Sequence, residues 1–256
     1  MPERSSPRFL IGVSLKMYFT HTSAVAWARS VAAICARHPA VRDGVVEIVV
    51  LPSYPALPAV VEAMAPHAVG AQDISQYDSG AYTGEVGGVE LAELGCRFAE
   101  IGHAERRTLL GESSGIIAAK VAAAVRHGIT PLLCVGETSR TSAFEAAAEC
   151  ILDIEAARAS IDGRVDLVVA YEPHWAIGAP QPAPVEHIRE VCGRIRAHFA
   201  SSETTRVRVI YGGSAGPGLL ERIAPDVDGM FLGRFAHDPA AVETILDEAL
   251  SLARTP

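Results

Sequence analysis

At 256 residues the chain is longer than the commonest single domain, yet one barrel or one doubly wound sheet can use all of it. Its 49% hydrophobic and 20% charged residues, with 22 Gly and 16 Pro, exclude disorder and coiled coil. A net charge of −8 with no basic cluster repels a phosphate backbone, so no nucleic acid partner is expected.

In chain order, the opening from Met1 to Arg8 is polar rather than a basic lead into an apolar run, and no apolar stretch approaches about 18 residues. The expectation is a soluble cytoplasmic protein with no membrane partner. A short apolar run at 9–12 predicts the first strand, and alanine-rich spacing at 23–37 predicts a helix. Strands follow at 47–51, 68–71 and 98–101, then a helix at 115–127. Alternation continues with a strand at 131–135, a helix at 141–159, a strand at 167–170 and a helix at 185–199. Strands at 207–210 and 229–232 and a helix at 239–253 close the series. Eight buried runs separated by helices imply parallel pairing through right-handed crossovers. The fold class predicted is α/β, a single (β/α)8 barrel domain over residues 1–256. The rival open sheet lacks its usual sign, since no G-x-G-x-x-G follows the first strand.

The five cysteines, Cys35, Cys96, Cys134, Cys150 and Cys192, are odd in number and never spaced C-x-x-C, so they read as reduced, mostly buried thiols. His21, His38, His127, His187 and His198 fall on predicted helices or their ends and read as ordinary surface residues.

Reactive groups of such a barrel sit just beyond the C-terminal ends of its strands. Lys16 comes four residues after Gly12, His103 two after Ile101 and Glu172 two after Ala170, so all three crowd one rim. An ammonium, an imidazole and a carboxylate converging there form the set needed to move a proton beside a carbonyl. Tyr211-Gly212-Gly213-Ser214 after the seventh strand and Gly233-Arg234 after the eighth give two backbone-rich turns in the loops where barrels hold phosphate. His103-Ala104-Glu105 matches the H-x-E of zinc deaminases, but the P-C-x-x-C partner is missing, so no metal is expected. Cys134 reads as a small buried thiol, and Glu137, Asp73 and Arg107 as supporting residues.

These residues resemble the triosephosphate isomerase family from Phe9 to about His237. Ala170-Tyr171-Glu172-Pro173-His174-Trp175-Ala176-Ile177-Gly178 is similar to the family's A-Y-E-P-x-W-A-I-G, which carries the base and the start of the lid. Ile101-Gly102-His103-Ala104-Glu105-Arg106-Arg107 resembles its G-H-S-E-R-R, and Gly80-Ala81-Tyr82-Thr83-Gly84-Glu85 its intersubunit loop; Cys134-Val135-Gly136-Glu137 and Tyr211-Gly212-Gly213-Ser214 match as well. The resemblance implies Glu172 as base, His103 as hydrogen-bond donor to the enediolate oxygen, Lys16 as the offsetting charge and Glu105 as a brace. It implies Gly178, Ser214, Gly233 and Arg234 at the phosphate, no cofactor, and a homodimer through the segment from Gln72 to Glu85.

Departures from the pattern cluster around the ligand. Where the family reads N-W-K-M-N, this chain has Ser14-Leu15-Lys16-Met17-Tyr18; Ala104 replaces serine, 179–182 reads A-P-Q-P instead of T-G-K-T, and Arg234 replaces the second glycine of its pair. Ser14 in place of asparagine opens room at the sugar end, while Arg234 narrows the other. The pattern resembles the family's erythrulose-phosphate isomerase branch, whose context is sugar-alcohol catabolism. The expected substrate pair is L-erythrulose 1-phosphate and D-erythrulose 4-phosphate, the latter being glyceraldehyde 3-phosphate with its aldehyde hydrogen replaced by CH2OH. Glyceraldehyde 3-phosphate and dihydroxyacetone phosphate stand as the alternative. A non-catalytic phosphate-ligand binding protein and an aldolase using Lys16 as a Schiff-base amine are the remote ones.

Overall fold

The computed structural model describes residues 7–254; the rest of the polar opening, residues 1–6, lies outside them, as do residues 255 and 256. Eight strands close in sequence order into a barrel in which every pairing is parallel. They are β1 (Phe9–Ser14), β2 (Val46–Leu51), β3 (Ala68–Ala71), β4 (Phe98–Ile101), β5 (Thr130–Val135), β6 (Val165–Tyr171), β7 (Thr205–Tyr211) and β8 (Gly229–Leu232). This is the predicted fold class. The helices outside are α1 (His21–Arg37), α2 (Pro39–Arg42), α3 (Leu57–Met64), α4 (Gly88–Glu93), α5 (Ala104–Leu109), α6 (Ser114–Arg126), α7 (Ala143–Arg158), α8 (Val185–Phe199), α9 (Leu220–Ile223) and α10 (Pro239–Arg254).

Five of these helices, α2, α3, α4, α5 and α9, go beyond the helices predicted from spacing. Four of them span four to six residues, too short for a 3.6-residue period to register. The remaining one, α3, is opened by Pro58 within its first turn. The longer helices begin where a side chain satisfies their free amides: Thr20 accepts from the Ser23 N–H, and Ser142 and Glu145 form a reciprocal capping box.

Alternation along each strand sorts side chains into two layers. Leu10, Val49, Leu51, Phe98, Leu132, Val168, Ala170, Ile210 and Phe231 fill the barrel interior. Ile11, Val13, Ile48, Ala99, Val169 and Val209 pack outward against the helices. A Cβ on Gly12 would stand 2.7 Å from the Phe231 ring, so the glycine makes room for that ring and small faces large across the β1–β8 seam.

β1 runs two residues further than the apolar run at 9–12 indicated, because Val13 and Ser14 pair with Val50 and Leu51. Ser14 is therefore part of the wall. Lys16 stands two residues past a strand end at the inward parity of Leu10 and Ser14. His103 stands two past Ile101, which packs outward, and the positive φ of Gly102 (72°) breaks the alternation so that His103 too lines the barrel mouth.

Three histidines read as surface residues are not: His127 is half-buried with its Nε2 2.8 Å from Asp78 Oδ1, and two others are held in the same way. His38 is buried, approaches Asp247 Oδ1 at 3.0 Å and accepts at Nδ1 from the Ala40 N–H, which caps α2. His187 Nε2 lies 3.1 Å from the Tyr171 hydroxyl and 3.2 Å from Glu137 Oε1 under the rim. A helix-end position does not reveal a polar partner supplied by another element. All five cysteines are free and buried. Among the described residues no helix is long and apolar enough to cross a membrane.

Candidate active site

The C-terminal mouth of the barrel holds a pocket of about 90 Å³, which suits a small metabolite rather than a dinucleotide. It is lined by Ser14, Lys16, His103, Glu105, Glu172, Gly178, Ser214, Gly233 and Arg234, together with Tyr18, Phe231 and Phe235. Every site residue predicted from sequence meets there.

Glu172 follows β6 and is buried beneath the rim. A Cβ on Gly212 would come within 2.4 Å of Glu172 Oε1, so only glycine at the end of β7 admits the carboxyl. Its Oε2 has no hydrogen-bond partner and stands 3.5 Å from His103 Nε2. Burial pushes the Glu172 carboxyl up to about 8, and the Glu100 carboxylate adds to that while Lys16 opposes it. A buried carboxylate with one oxygen left unbonded is poised to take a proton.

His103 caps the first turn of α5: its Nδ1 accepts from the Glu105 N–H at 3.1 Å. Nδ1 is therefore the acceptor, and in the neutral ring the proton sits on Nε2, facing the pocket. Burial, then the Lys16 ammonium, pushes the imidazole down to about 4, which keeps it neutral. A neutral Nε2–H donates a hydrogen bond without carrying a charge that would have to be dispersed.

Lys16 adopts a positive φ of 47°, unusual for a side chain with a Cβ. Gln72 holds that backbone by donating to the carbonyls of Lys16 and Leu51 at 3.0 and 2.9 Å. The Lys16 Nζ donates to Glu105 Oε1 at 2.8 Å. Burial alone would lower its pKa, but that hydrogen bond and the carboxylates of Glu172 and Glu105 keep it above the usual lysine value. Its ammonium is a fixed positive charge.

On the other side of the pocket, Ser214, also at positive φ (56°), places its Oγ 2.8 Å from the carbonyl of Ala176 and 2.9 Å from that of Ala179. Arg234 Nη2 donates to the Gly178 carbonyl at 3.3 Å. Loops 7 and 8 thus hold the segment after Glu172. The base of that segment rests on Glu137, which accepts from the Trp175 indole at 2.8 Å and from the Tyr171 hydroxyl. Asp73 accepts from Lys120 at 2.7 Å and pairs with Arg106. Arg107 donates to the carbonyls of Gly102 and Cys134. Of the residues read as supports, Glu137 and Asp73 therefore brace side chains and Arg107 backbone, and none of the three lines the pocket itself.

One residue escaped the sequence reading. Glu100, on β4 inside the barrel and 3% exposed, accepts from Ser14 Oγ at 2.9 Å. Burial pushes its carboxyl up to about 7, opposed by the Ser14 hydroxyl and Lys16. Its signal was there in Phe98-Ala99-Glu100-Ile101, a charge at interior parity within an apolar strand.

A profile of the triosephosphate isomerase family matches residues 9–249. The chain belongs to the triosephosphate isomerase family. Members isomerise sugar phosphates, and this chain is an enzyme of that kind. Its sequence is 48% identical to L-erythrulose-1-phosphate isomerase of Pectobacterium atrosepticum, over 97% of this chain and 98% of that one. It is 41% identical to triosephosphate isomerase of Leifsonia xyli over 79% and 83%, and 43% identical to that of Mycobacterium tuberculosis over 66% and 68%. Among the described residues no cluster of His, Cys, Asp or Glu could hold a metal ion.

Proposed function

We propose that this member of the triosephosphate isomerase family interconverts L-erythrulose 1-phosphate and D-erythrulose 4-phosphate, as one domain across residues 1–256. The observation that carries the reading is Ser14 in the wall of the pocket, where the family has asparagine, with its hydroxyl drawn back to Glu100. The shorter side chain leaves space for the hydroxymethyl group that distinguishes the four-carbon ketose from glyceraldehyde 3-phosphate. The relative from Pectobacterium atrosepticum, which matches along nearly its whole length, bears the four-carbon name.

In this reading Glu172 removes the proton from the carbon beside the carbonyl, and its carboxylate becomes a carboxylic acid. His103 Nε2–H donates to the carbonyl oxygen as that oxygen gains charge, and Lys16 offsets the charge. The proton of the adjacent hydroxyl passes by way of His103 Nε2 to the former carbonyl oxygen as the second carbonyl forms, and Glu172 returns its proton to the former carbonyl carbon. No atom is gained or lost. Glu105 positions Lys16, while Ser214, Gly178, Gly233 and Arg234 surround the phosphate. General base catalysis supplies only about 10² to 10⁴ of such an acceleration, so preorganised charge in the buried site carries the rest. No cofactor takes part.

The protein works in the cytoplasm as a homodimer through the segment from Gln72 to Glu85. In support, Tyr77 and Tyr82 stack at 3.7 Å at its tip, and Met17, 94% exposed, and Tyr18 leave apolar surface beside the site.

Purified protein assayed against both substrates tests the reading. A higher kcat/KM for the four-carbon pair is expected; faster turnover of glyceraldehyde 3-phosphate overturns the preference in favour of triosephosphate isomerase.

A further inference from the structure

Glu100 lies where a carboxyl gains little stability. It pairs with Leu132 of β5 and shares its strand face with Phe98, both in the apolar barrel interior, and among the described residues its one hydrogen-bond partner is a neutral serine. Burying a carboxyl among apolar side chains costs free energy that a single hydroxyl does not return. The Lys16 ammonium acts on it from a distance but is bonded to Glu105. Folding therefore does not account for the residue.

What Glu100 does is fix a proton. Ser14 Oγ donates to Glu100 Oε2 at 2.9 Å, so the serine hydrogen points down into the barrel and away from the pocket. The Oγ that lines the pocket then presents lone pairs and no hydrogen. Such a surface accepts from a donor. The terminal CH2OH of a four-carbon ketose phosphate supplies one, whereas the aldehyde of a triose has only hydrogen on carbon and an acceptor oxygen. Without Glu100 the serine hydroxyl rotates freely and serves either.

We propose that Glu100 is a specificity-positioning residue: it holds the Ser14 hydrogen inward so that Ser14 Oγ reads the terminal hydroxyl of a four-carbon substrate. This rests on the four-carbon reading of the site. A site built to bond a substrate hydroxyl discriminates strongly against the analogue lacking it, because the unpaired group is left buried.

The test measures kcat/KM for D-erythrulose 4-phosphate and for glyceraldehyde 3-phosphate, which differ only by that CH2OH, in wild type, Glu100→Leu, Glu100→Gln and Ser14→Ala, with thermal unfolding alongside. Expected is a fall of at least tenfold in the four-carbon to three-carbon ratio for Glu100→Leu and Ser14→Ala. Glu100→Gln, whose amide oxygen still accepts from Ser14, retains most of the ratio. Ser14→Ala leaves the interior carboxyl in place, and so answers even where Glu100→Leu does not fold. A wild type that prefers four carbons but whose ratio is unmoved in these variants overturns the assignment of Glu100 alone. Equal losses on both substrates with a lowered Tm, the mark of a structural role, overturn it too. A wild type that prefers three carbons overturns the four-carbon reading and this inference with it.

Discussion

Arg234 Nη2 and the carbonyl oxygen of Gly178 meet at 3.3 Å, so the loop after β8 grips the stem of the segment that follows Glu172. Ser214 takes hold of the same segment from β7 through the carbonyls of Ala176 and Ala179. A covered site keeps water from an enediolate that otherwise expels its phosphate. Arg234→Gly is expected to raise the fraction of turnovers that end in free inorganic phosphate, and to raise KM several-fold. Phosphate release counted against product formed checks it; an unchanged ratio means that the grip on Gly178 does not matter for closure.

Replacing Glu172 by Gln or Asp separates chemistry from binding. Glu172→Gln removes the base without changing its shape, so kcat is expected to fall by about 10² to 10⁴ or more. Affinity for inorganic phosphate, measured calorimetrically, stays within a few-fold. Turnover that survives would remove Glu172 as the base.

The pH dependence of kcat/KM follows from the two groups that face each other across 3.5 Å. Glu172, pushed up to about 8, is active as the carboxylate, so the rate rises with pH through that region. His103, pushed down to about 4, stays neutral throughout and adds no limb above pH 5. The profile, corrected for the substrate phosphate's own ionisation near about pH 6, is expected to show one alkaline-rising limb. Stability runs the other way. A carboxyl whose folded pKa exceeds its unfolded value favours the folded state at low pH, and that contribution fades as pH rises from the ordinary glutamate range through about 8. Glu172→Gln is therefore expected to raise Tm at pH 9 and to change it little at pH 4.

Much of this was legible in the chain because two signals coincide. Buried runs mark strands, and in a closed parallel barrel the polar residue just past each run faces the same mouth, so Lys16, His103 and Glu172 could be placed together without coordinates. Reading failed where a residue's role is set by a partner far away in sequence. Glu100 sits 86 residues from Ser14, and His38 sits 209 from Asp247. Neither spacing leaves a trace in local periodicity. The end of β1 was missed because the apolar run was broken at Gly12 and Ser14 is polar, although the ladder to Val50 and Leu51 makes Val13 and Ser14 strand.

Lys16 and Glu105 offer a last separation, between stability and function. Glu105 is about half exposed, and exposed ion pairs contribute only about 0–1 kcal/mol to folding. Glu105→Ala is therefore expected to shift Tm little. Yet the same carboxylate is the hydrogen-bond partner that holds the Lys16 ammonium on a backbone already at positive φ. Freed from it, the ammonium spends time away from the oxygen that accumulates charge, and kcat/KM is expected to fall roughly tenfold to a hundredfold, as loss of one preorganised electrostatic contact does. Glu105→Asp, which keeps the charge but shortens the reach, should fall between the two. Steady-state kinetics beside a thermal melt checks it: a melt that collapses together with activity would make Glu105 a structural residue, and activity that stands unchanged would leave Lys16 positioned by Gln72 and the turn alone.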